Sequence, residues 1–226
     1  MAQKDDMGAG VRLGKDVLKH LPIVGLKTCI DLSSVLSDFP SELFYYSGNY
    51  NFIDGPVGLT KQHCTCVWGL MPLAVKTREV FYGHVIGSQM EILSKGVGIG
   101  DGLYVDHAVA WDPPPHHKGE DYRCVVLKLG GTTNEAGFYG QMRKKLYETY
   151  PVFNQFGYKQ PEAHVTVAYV YDKRDDGKDS SFYTQCAADI LVIKLNGALC
   201  GTNVPVTEMF VDDNGFQYYG TVAASE

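Results

Sequence analysis

The fold is indicated most clearly by the segment Ala163-His164-Val165-Thr166-Val167-Ala168-Tyr169. Apolar and β-branched residues dominate it, which predicts a strand over residues 163–171. Residues i and i+2 of a strand lie on the same face of a sheet. His164 and Thr166 are therefore expected to present an imidazole and a hydroxyl to the same space.

A second segment, Gln62-His63-Cys64-Thr65-Cys66-Val67, has the same His-x-Thr spacing about a hundred residues earlier in the chain. It predicts a strand over residues 62–70 with His63 and Thr65 on one face. The intervening thiols of this strand then point to the opposite face, so no cysteine can pair with the histidine as a nucleophile.

The remaining elements follow from periodicity, breakers and caps. Further strands are predicted over residues 23–32, 91–99, 103–111, 122–129, 190–195, 207–211 and 216–222. Helices are predicted over residues 77–89 and 134–150, with a helical turn starting in 180–187. Thr132 or Thr133 is the expected N-cap of the second helix, and Phe138, Met142, Leu146 and Tyr150 form its apolar face. Loops are expected over 33–60, a turn over 96–102, and a polar tip over 172–179. Asn214-Gly215 is expected to form a hairpin turn.

Composition limits the class of protein. The chain has 226 residues, 45% hydrophobic and 20% charged, which is typical of a soluble globular protein with a real core. Its net charge of −6 argues against a surface for duplex DNA, which needs clustered lysine and arginine. A small nucleotide is not excluded, because a few neutral donors can hold one or two phosphates.

The six cysteines lack the paired spacing of a disulfide framework. The chain opens without a signal-peptide pattern, and no apolar run is long enough to cross a bilayer. We therefore expect buried thiols, a cytoplasmic protein (the host cytoplasm if the source is viral) and no membrane partner. Residues 1–22 are expected to form an N-terminal arm, and residues 23–226 one domain.

Two facing His-x-Thr strands suit a phosphodiester. In-line displacement at phosphorus needs a base behind the attacking oxygen and an acid at the leaving oxygen. Two imidazoles supply both, because histidine titrates near neutrality. Two hydroxyls can donate to the non-bridging oxygens. Neither a metal nor a cofactor is required.

The two segments resemble the paired motifs of the 2H phosphoesterase superfamily. That superfamily includes RNA 2′,3′-cyclic phosphodiesterases, 2′,5′-ligase-like enzymes, enzymes that cleave 2′,5′-oligoadenylate, and phage enzymes that degrade cyclic-oligonucleotide alarm signals. The resemblance implies an α+β fold of two lobes with pseudo-twofold symmetry. Two antiparallel sheets then surround a central groove, with helices outside. It also implies that the catalytic residues are His63, Thr65, His164 and Thr166.

Aromatic residues near the motifs are candidates for binding a nucleobase by stacking. They are Trp68, Tyr169 and Tyr46. For each of them, packing in the core is the competing interpretation. His107 is expected to be structural, and the glycines of residues 96–102 are not a dinucleotide loop, because a strand and not a helix follows them.

The predicted activity is cleavage of a nucleotide phosphodiester, with a cyclic di- or oligonucleotide signal as the favoured substrate and immune evasion as its purpose. RNA with a 2′,3′-cyclic phosphate or a 2′,5′ linkage is the nearest alternative, and short RNA is a further partner. The chain could instead be a binding protein that sequesters a nucleotide without cleaving it, or a structural protein in which the motifs coincide by chance. The oligomeric state and the roles of the two histidines stay open.

Overall fold

The chain contains both strands and helices. The computed structural model describes residues 22–45, 62–67, 78–113, 121–150, 162–172, 180–213 and 216–220. The strands are β1 (Ile23–Thr28), β2 (His63–Val67), β3 (Tyr104–Trp111), β4 (Arg123–Gly130), β5 (His164–Val170), β6 (Val206–Asp213) and β7 (Phe216–Gly220). The α-helices are α1 (Ser33–Ser37), α2 (Arg78–Ser94), α3 (Phe138–Thr149) and α4 (Ser180–Leu199), and a 3-10 turn covers Ser41–Leu43.

The seven strands form one sheet in the order β3-β4-β5-β2-β1-β6-β7. Each described pair of neighbours is antiparallel, which confirms the predicted α+β class. The expectation of two separate sheets is corrected, because the two halves form one continuous sheet, joined where β2 pairs with β5. Joining them removes two strand edges whose backbone groups would otherwise need other partners.

An internal duplication organises the chain. The series β1-α1-β2-α2-β3 is followed by β4-α3-β5-α4-β6, with each strand about 100 residues after its counterpart. The third strand of each series pairs with the first strand of the other, β3 with β4 and β6 with β1. In the first series, α1 is only five residues long and lies where loops alone were expected.

The helices that pack on the sheet lie on one of its faces. The Cys66 thiol lies 3.8 Å from the main-chain oxygen of Tyr139, so α3 covers the face of β2 that carries the cysteines. Asn196 of α4 accepts from the Ala108 amide of β3, and α2 packs on α3 through Phe81 and Tyr150. The apolar face of α3 is buried as predicted, at Phe138, Met142, Leu146 and Tyr150.

Two predicted strands are wrong. Residues 91–99 include the end of α2, whose Phe81, Val85 and Ile92 are buried at helical spacing. Residues 190–195 lie inside α4, where Leu191 and Leu195 face the core. The misleading apolar residues in that run, Ile190 and Ile193, are 54% and 70% exposed on the outer side of the helix. A helix that is apolar on both sides resembles a buried strand in sequence.

Two smaller expectations are also wrong. The N-cap of α3 is Gly137, without a side-chain cap, so neither Thr132 nor Thr133 serves there. Three of the cysteines expected to be buried are exposed, namely Cys29, Cys186 and Cys200. Cys29 and Cys200 directly follow β1 and α4, and Cys186 lies on the outer side of α4.

Candidate active site

The two His-x-Thr strands are direct neighbours in the middle of the sheet. Cys64 of β2 is paired with Val165 of β5 in antiparallel register. Continuing that register by one residue places His63 opposite Thr166, and Thr65 opposite His164. The two imidazoles therefore occupy one diagonal of a square and the two hydroxyls the other. Diagonal neighbours lie about 7–8 Å apart, within reach of one phosphate group.

The four side chains are on the face opposite to the helices. His63 is exposed, and Thr65, His164 and Thr166 are half-buried. Cys64 and Cys66, by contrast, are buried on the helix side, as predicted.

Neither of these thiols suits nucleophilic chemistry. Burial raises the pKa of the Cys64 thiol to about 12 and raises the pKa of Cys66 still further. A buried thiol with such a high pKa is not a nucleophile.

Paired bulges shape both strands just beyond the hydroxyls. In β5, Val125 is opposite Ala168 while Val126 is opposite Thr166, so Val167 is an extra residue. In β2, Val24 is opposite Val67 while Gly25 is opposite Thr65, so Cys66 is extra in the same way. A bulge shifts the alternation of the following residues by one position.

The bulge in β5 decides where Tyr169 lies. Strict alternation from Thr166 would send Tyr169 to the helix face, but the bulge returns it to the face of His164. Tyr169 is half-buried, and its ring meets the Tyr122 ring edge-on at 5.4 Å between centroids. Tyr45 stacks on Tyr122 at 5.0 Å, so Tyr169 joins an aromatic cluster at this end of the strand. Trp68 and Tyr46 lie outside the described residues.

The His164 ring is oriented by a hydrogen bond to Glu162, just before the start of β5. Its Nδ1 lies 2.7 Å from the main-chain oxygen of Glu162. Because a carbonyl oxygen only accepts, Nδ1 carries the hydrogen, and Nε2 of the neutral ring has its lone pair available. Burial is the main cause that lowers the pKa of His164, and the nearby His63 lowers it further, while the bond to Glu162 opposes both.

Each imidazole also contacts an aromatic ring from a strand two positions away in the sheet. The Trp111 ring meets His164 edge-on, with 4.6 Å between centroids. The Phe210 ring meets His63 in the same manner at 5.8 Å. Phe210 lies across Gly25, where a Cβ atom would come within 2.4 Å of the ring. Sequence reasoning missed both rings, since nothing local to the motifs indicates them.

A lysine is paired with each histidine on the adjoining strand. Lys27 of β1 is opposite His63, and Lys128 of β4 is opposite His164. The Lys27 ammonium lies 2.9 Å from the Glu208 carboxylate, and the Lys128 ammonium forms an ion pair with Glu162. The duplication thus gives each half of the sheet the same three residue types. A histidine and a threonine lie on its central strand, and a lysine lies on the strand next to it.

The comparisons with known proteins concern the fold. No family model matches the chain, and no curated protein matches it. Among solved structures, it is similar to Kluyveromyces marxianus Usb1, with a TM-score of 0.48 and 9% identity over 91% of this chain and 100% of that chain. It is also similar to the same yeast protein with uridine monophosphate, with a TM-score of 0.49 and 9% identity over 90% of this chain and 99% of that chain.

Two further observations concern the described residues. None of their helices is both long and apolar enough to span a membrane. They also contain no group of three or more histidine, cysteine, aspartate or glutamate side chains arranged to hold a metal ion.

Proposed function

We propose that this chain is a phosphodiesterase that cleaves a nucleotide phosphodiester by acid–base catalysis with His63 and His164. The pairing of Cys64 with Val165 is the observation that carries the proposal. That one contact brings two imidazoles and two hydroxyls, from segments about a hundred residues apart, together on the face of the sheet opposite to the helices.

His164 is the proposed general base. A base must be neutral before it acts, and the lowered pKa of His164 favours the neutral ring. Its Nδ1–H is engaged by the Glu162 carbonyl, which leaves Nε2 to take the proton of the attacking oxygen. The attacking group is either water or a ribose 2′-hydroxyl.

His63 is the proposed general acid. In an in-line displacement the nucleophile and the leaving oxygen lie on opposite sides of phosphorus, and the two imidazoles lie at opposite corners of the square. As the new P–O bond forms at the side of His164, the ester P–O bond breaks at the side of His63. The proton from the nucleophile passes to His164, and His63 supplies a proton to the leaving oxygen.

Thr65 and Thr166 are proposed to donate hydrogen bonds to the non-bridging oxygens. They lie on the other diagonal, across the line of displacement. Donors placed there stabilise the charge that concentrates on these oxygens in the transition state. Tyr169, on the same face, is proposed to contact a base or ribose of the substrate.

A cyclic di- or oligonucleotide is the proposed substrate, with immune evasion as its purpose, and RNA with a 2′,3′-cyclic or 2′,5′ linkage is the alternative. The net charge of −6 supports a small ligand over a long polyanion. The site would be served by a few local cations, of which Lys27 and Lys128 are the nearest on adjoining strands.

The test is turnover in excess EDTA of cyclic dinucleotides, cyclic trinucleotides, 2′,5′-oligoadenylate and 2′,3′-cyclic nucleotides. His63→Ala and His164→Ala should each lower kcat by orders of magnitude while binding persists. The matched control is His84→Gln, since His84 lies on α2 and contacts Tyr150, away from the proposed site. This control should keep full activity.

Three outcomes decide between the functions. Cleavage that resists EDTA and is lost in both alanine variants supports the two-histidine mechanism. Binding without cleavage by the wild-type protein would instead indicate sequestration. If the wild-type protein neither binds nor cleaves any of these compounds, the proposed function is contradicted.

A further inference from the structure

A cleft of about 470 Å³ opens where β4 ends and β5 begins, beside His164. Five side chains that can donate hydrogen bonds line it, namely His107, Lys128, Thr132, Thr133 and Arg143. Two carboxylates, Asp106 and Glu162, also line it. The Asp106 carboxylate lies 2.9 Å from His107 Nδ1, which orients that ring.

The cleft adjoins the proposed active site through two of the residues that line it. Lys128 is directly opposite His164 in the sheet. Glu162, whose main-chain oxygen holds His164 Nδ1, lines the cleft as well. A substrate with its scissile phosphate at His164 is therefore within reach of a space lined by donors.

The duplication provides an internal comparison. A second cleft, of about 610 Å³, lies around Lys27, the counterpart of Lys128. There one lysine is accompanied by two carboxylates, Asp31 and Glu208. In the cleft beside His164, a lysine, an arginine and a histidine accompany two carboxylates. The cleft beside His164 thus carries as many cationic side chains, Lys128 and Arg143, as carboxylates, whereas the cleft around Lys27 carries one cation against two carboxylates, so an anion is less opposed on the side of His164.

We propose that the cleft beside His164 holds a second phosphate of the substrate, next along the chain from the one that is cleaved. This inference rests on the proposed function and narrows it. The substrate is then an oligonucleotide with at least two phosphates, linear or cyclic, and not a mononucleotide. The hydroxyls of Thr132 and Thr133 and the Lys128 ammonium are the donors expected to contact that phosphate.

The experiment compares a dinucleoside monophosphate with the same compound carrying one added phosphate, at its 5′ end or at its 3′ end. The added phosphate should raise kcat/KM of the wild-type protein by about tenfold or more at one end, and much less at the other. The ratio of kcat/KM between the phosphorylated and plain compounds is the readout, because it cancels any change in basal rate.

Lys128→Gln and Thr133→Val should each bring this ratio close to one. Lys27→Gln is the matched control and should keep it, because Lys27 lines the other cleft. The inference is overturned if neither phosphate raises kcat/KM, if both raise it equally, or if Lys27→Gln abolishes the gain as fully as Lys128→Gln.

Failure of the inference about the second phosphate can be distinguished from failure of the proposed function. Cleavage of the plain compound that is lost in His164→Ala supports the proposed function even if the phosphate gain is absent. If no compound is cleaved, the ratio of dissociation constants for the same compounds, measured by calorimetry on the wild-type protein and on Lys128→Gln, tests the cleft directly. A ratio near one in the wild-type protein overturns the inference.

Discussion

At the scale of single residues, His164 makes the pH dependence predictable. A protonated His164 cannot accept a proton, so kcat/KM should fall as the pH falls through its pKa. Burial and the neighbouring His63 place that pKa below the ordinary value of 6.5. We expect the acid limb of a kcat/KM profile, measured in EDTA, to lie below pH 6.5.

The pKa of His164 can also be measured without substrate. A histidine NMR titration, assigned by the signal missing from His164→Gln, should give His164 a midpoint below 6.5. His84→Gln should leave the acid limb in place. A midpoint at or above 6.5 for His164 would contradict its proposed role as the base.

Removing the hydroxyl of either Thr65 or Thr166 should lower kcat. Thr65→Val or Thr166→Val removes one donor to the transition-state charge while keeping the side-chain shape, and we expect about a 10²-fold fall in kcat. Thr65→Ser and Thr166→Ser should recover most of the rate because they keep the hydroxyl. The control is Thr149→Val, because Thr149 lies on α3 and its hydroxyl donates to the main-chain oxygen of Lys145. A valine variant with unchanged kcat would show that the hydroxyl does not contact the reacting phosphate.

The residues of the square could be predicted from sequence, but their surroundings could not. Alternation along one strand is a local rule, so His63 and Thr65 follow from their spacing alone. Trp111 of β3 and Phe210 of β6 reach the imidazoles from two strands away in the sheet. Their positions depend on which strands pair, and a single sequence does not encode that pairing in any local pattern.

At the scale of elements, Gly25 and Phe210 form a contact that fixes β1 against β6. A Cβ atom at Gly25 would lie 2.4 Å from the Phe210 ring, so Gly25→Ala must displace that ring. We expect a loss of about 1–3 kcal/mol in the free energy of unfolding, measured in urea. The His63 ring signals should shift as well, because Phe210 packs against that ring.

Two variants make this prediction specific. In a Phe210→Leu background, Gly25→Ala should cost less than it does alone, since the clashing ring is gone. Gly83→Ala, in α2 with no atom within 4 Å of its Cβ position, should instead stabilise the protein by about 0.5–1 kcal/mol. Equal losses from both glycine substitutions would show that the Phe210 contact is not the cause.

Elements were predictable where one periodicity prevailed. The spacing of four in α3 identified its buried face correctly. In α4 the exposed Ile190 and Ile193 fill the positions that should be polar, so periodicity gives no usable signal there. The bulge at Val167 was also beyond prediction, because an extra residue in a strand is decided by its partner strand and not by its own sequence.

At the scale of the whole molecule, the exchange of third strands ties the two halves together. Within the described residues, β4 is the only strand beside β3 in the sheet, with one isolated bridge from Tyr104 to Asn203, and β6 lies between β1 and β7. The Val105 amide also donates to the Thr202 main-chain oxygen, and the Val204 amide to that of Leu103, so the exchanged strands meet at their starts. The faint similarity between the two motif segments is the part of this duplication that the sequence makes visible.

Neither half should therefore fold alone. If the chain is divided between residues 116 and 117, in the connection from β3 to β4, the first fragment holds β3 without its described partner strand and the second holds β6 without β1. Each fragment would also expose the strand edge and the buried apolar face that β2 and β5 share. We expect each fragment alone to give a poorly dispersed NMR spectrum, and an equimolar mixture refolded together to recover the dispersed spectrum of the intact chain. His63 and His164 lie on different fragments, so any phosphodiesterase activity should return only in the mixture. A dispersed spectrum from either fragment alone would mean that a half-sheet is stable by itself, and that the exchanged strands are not what holds the site together.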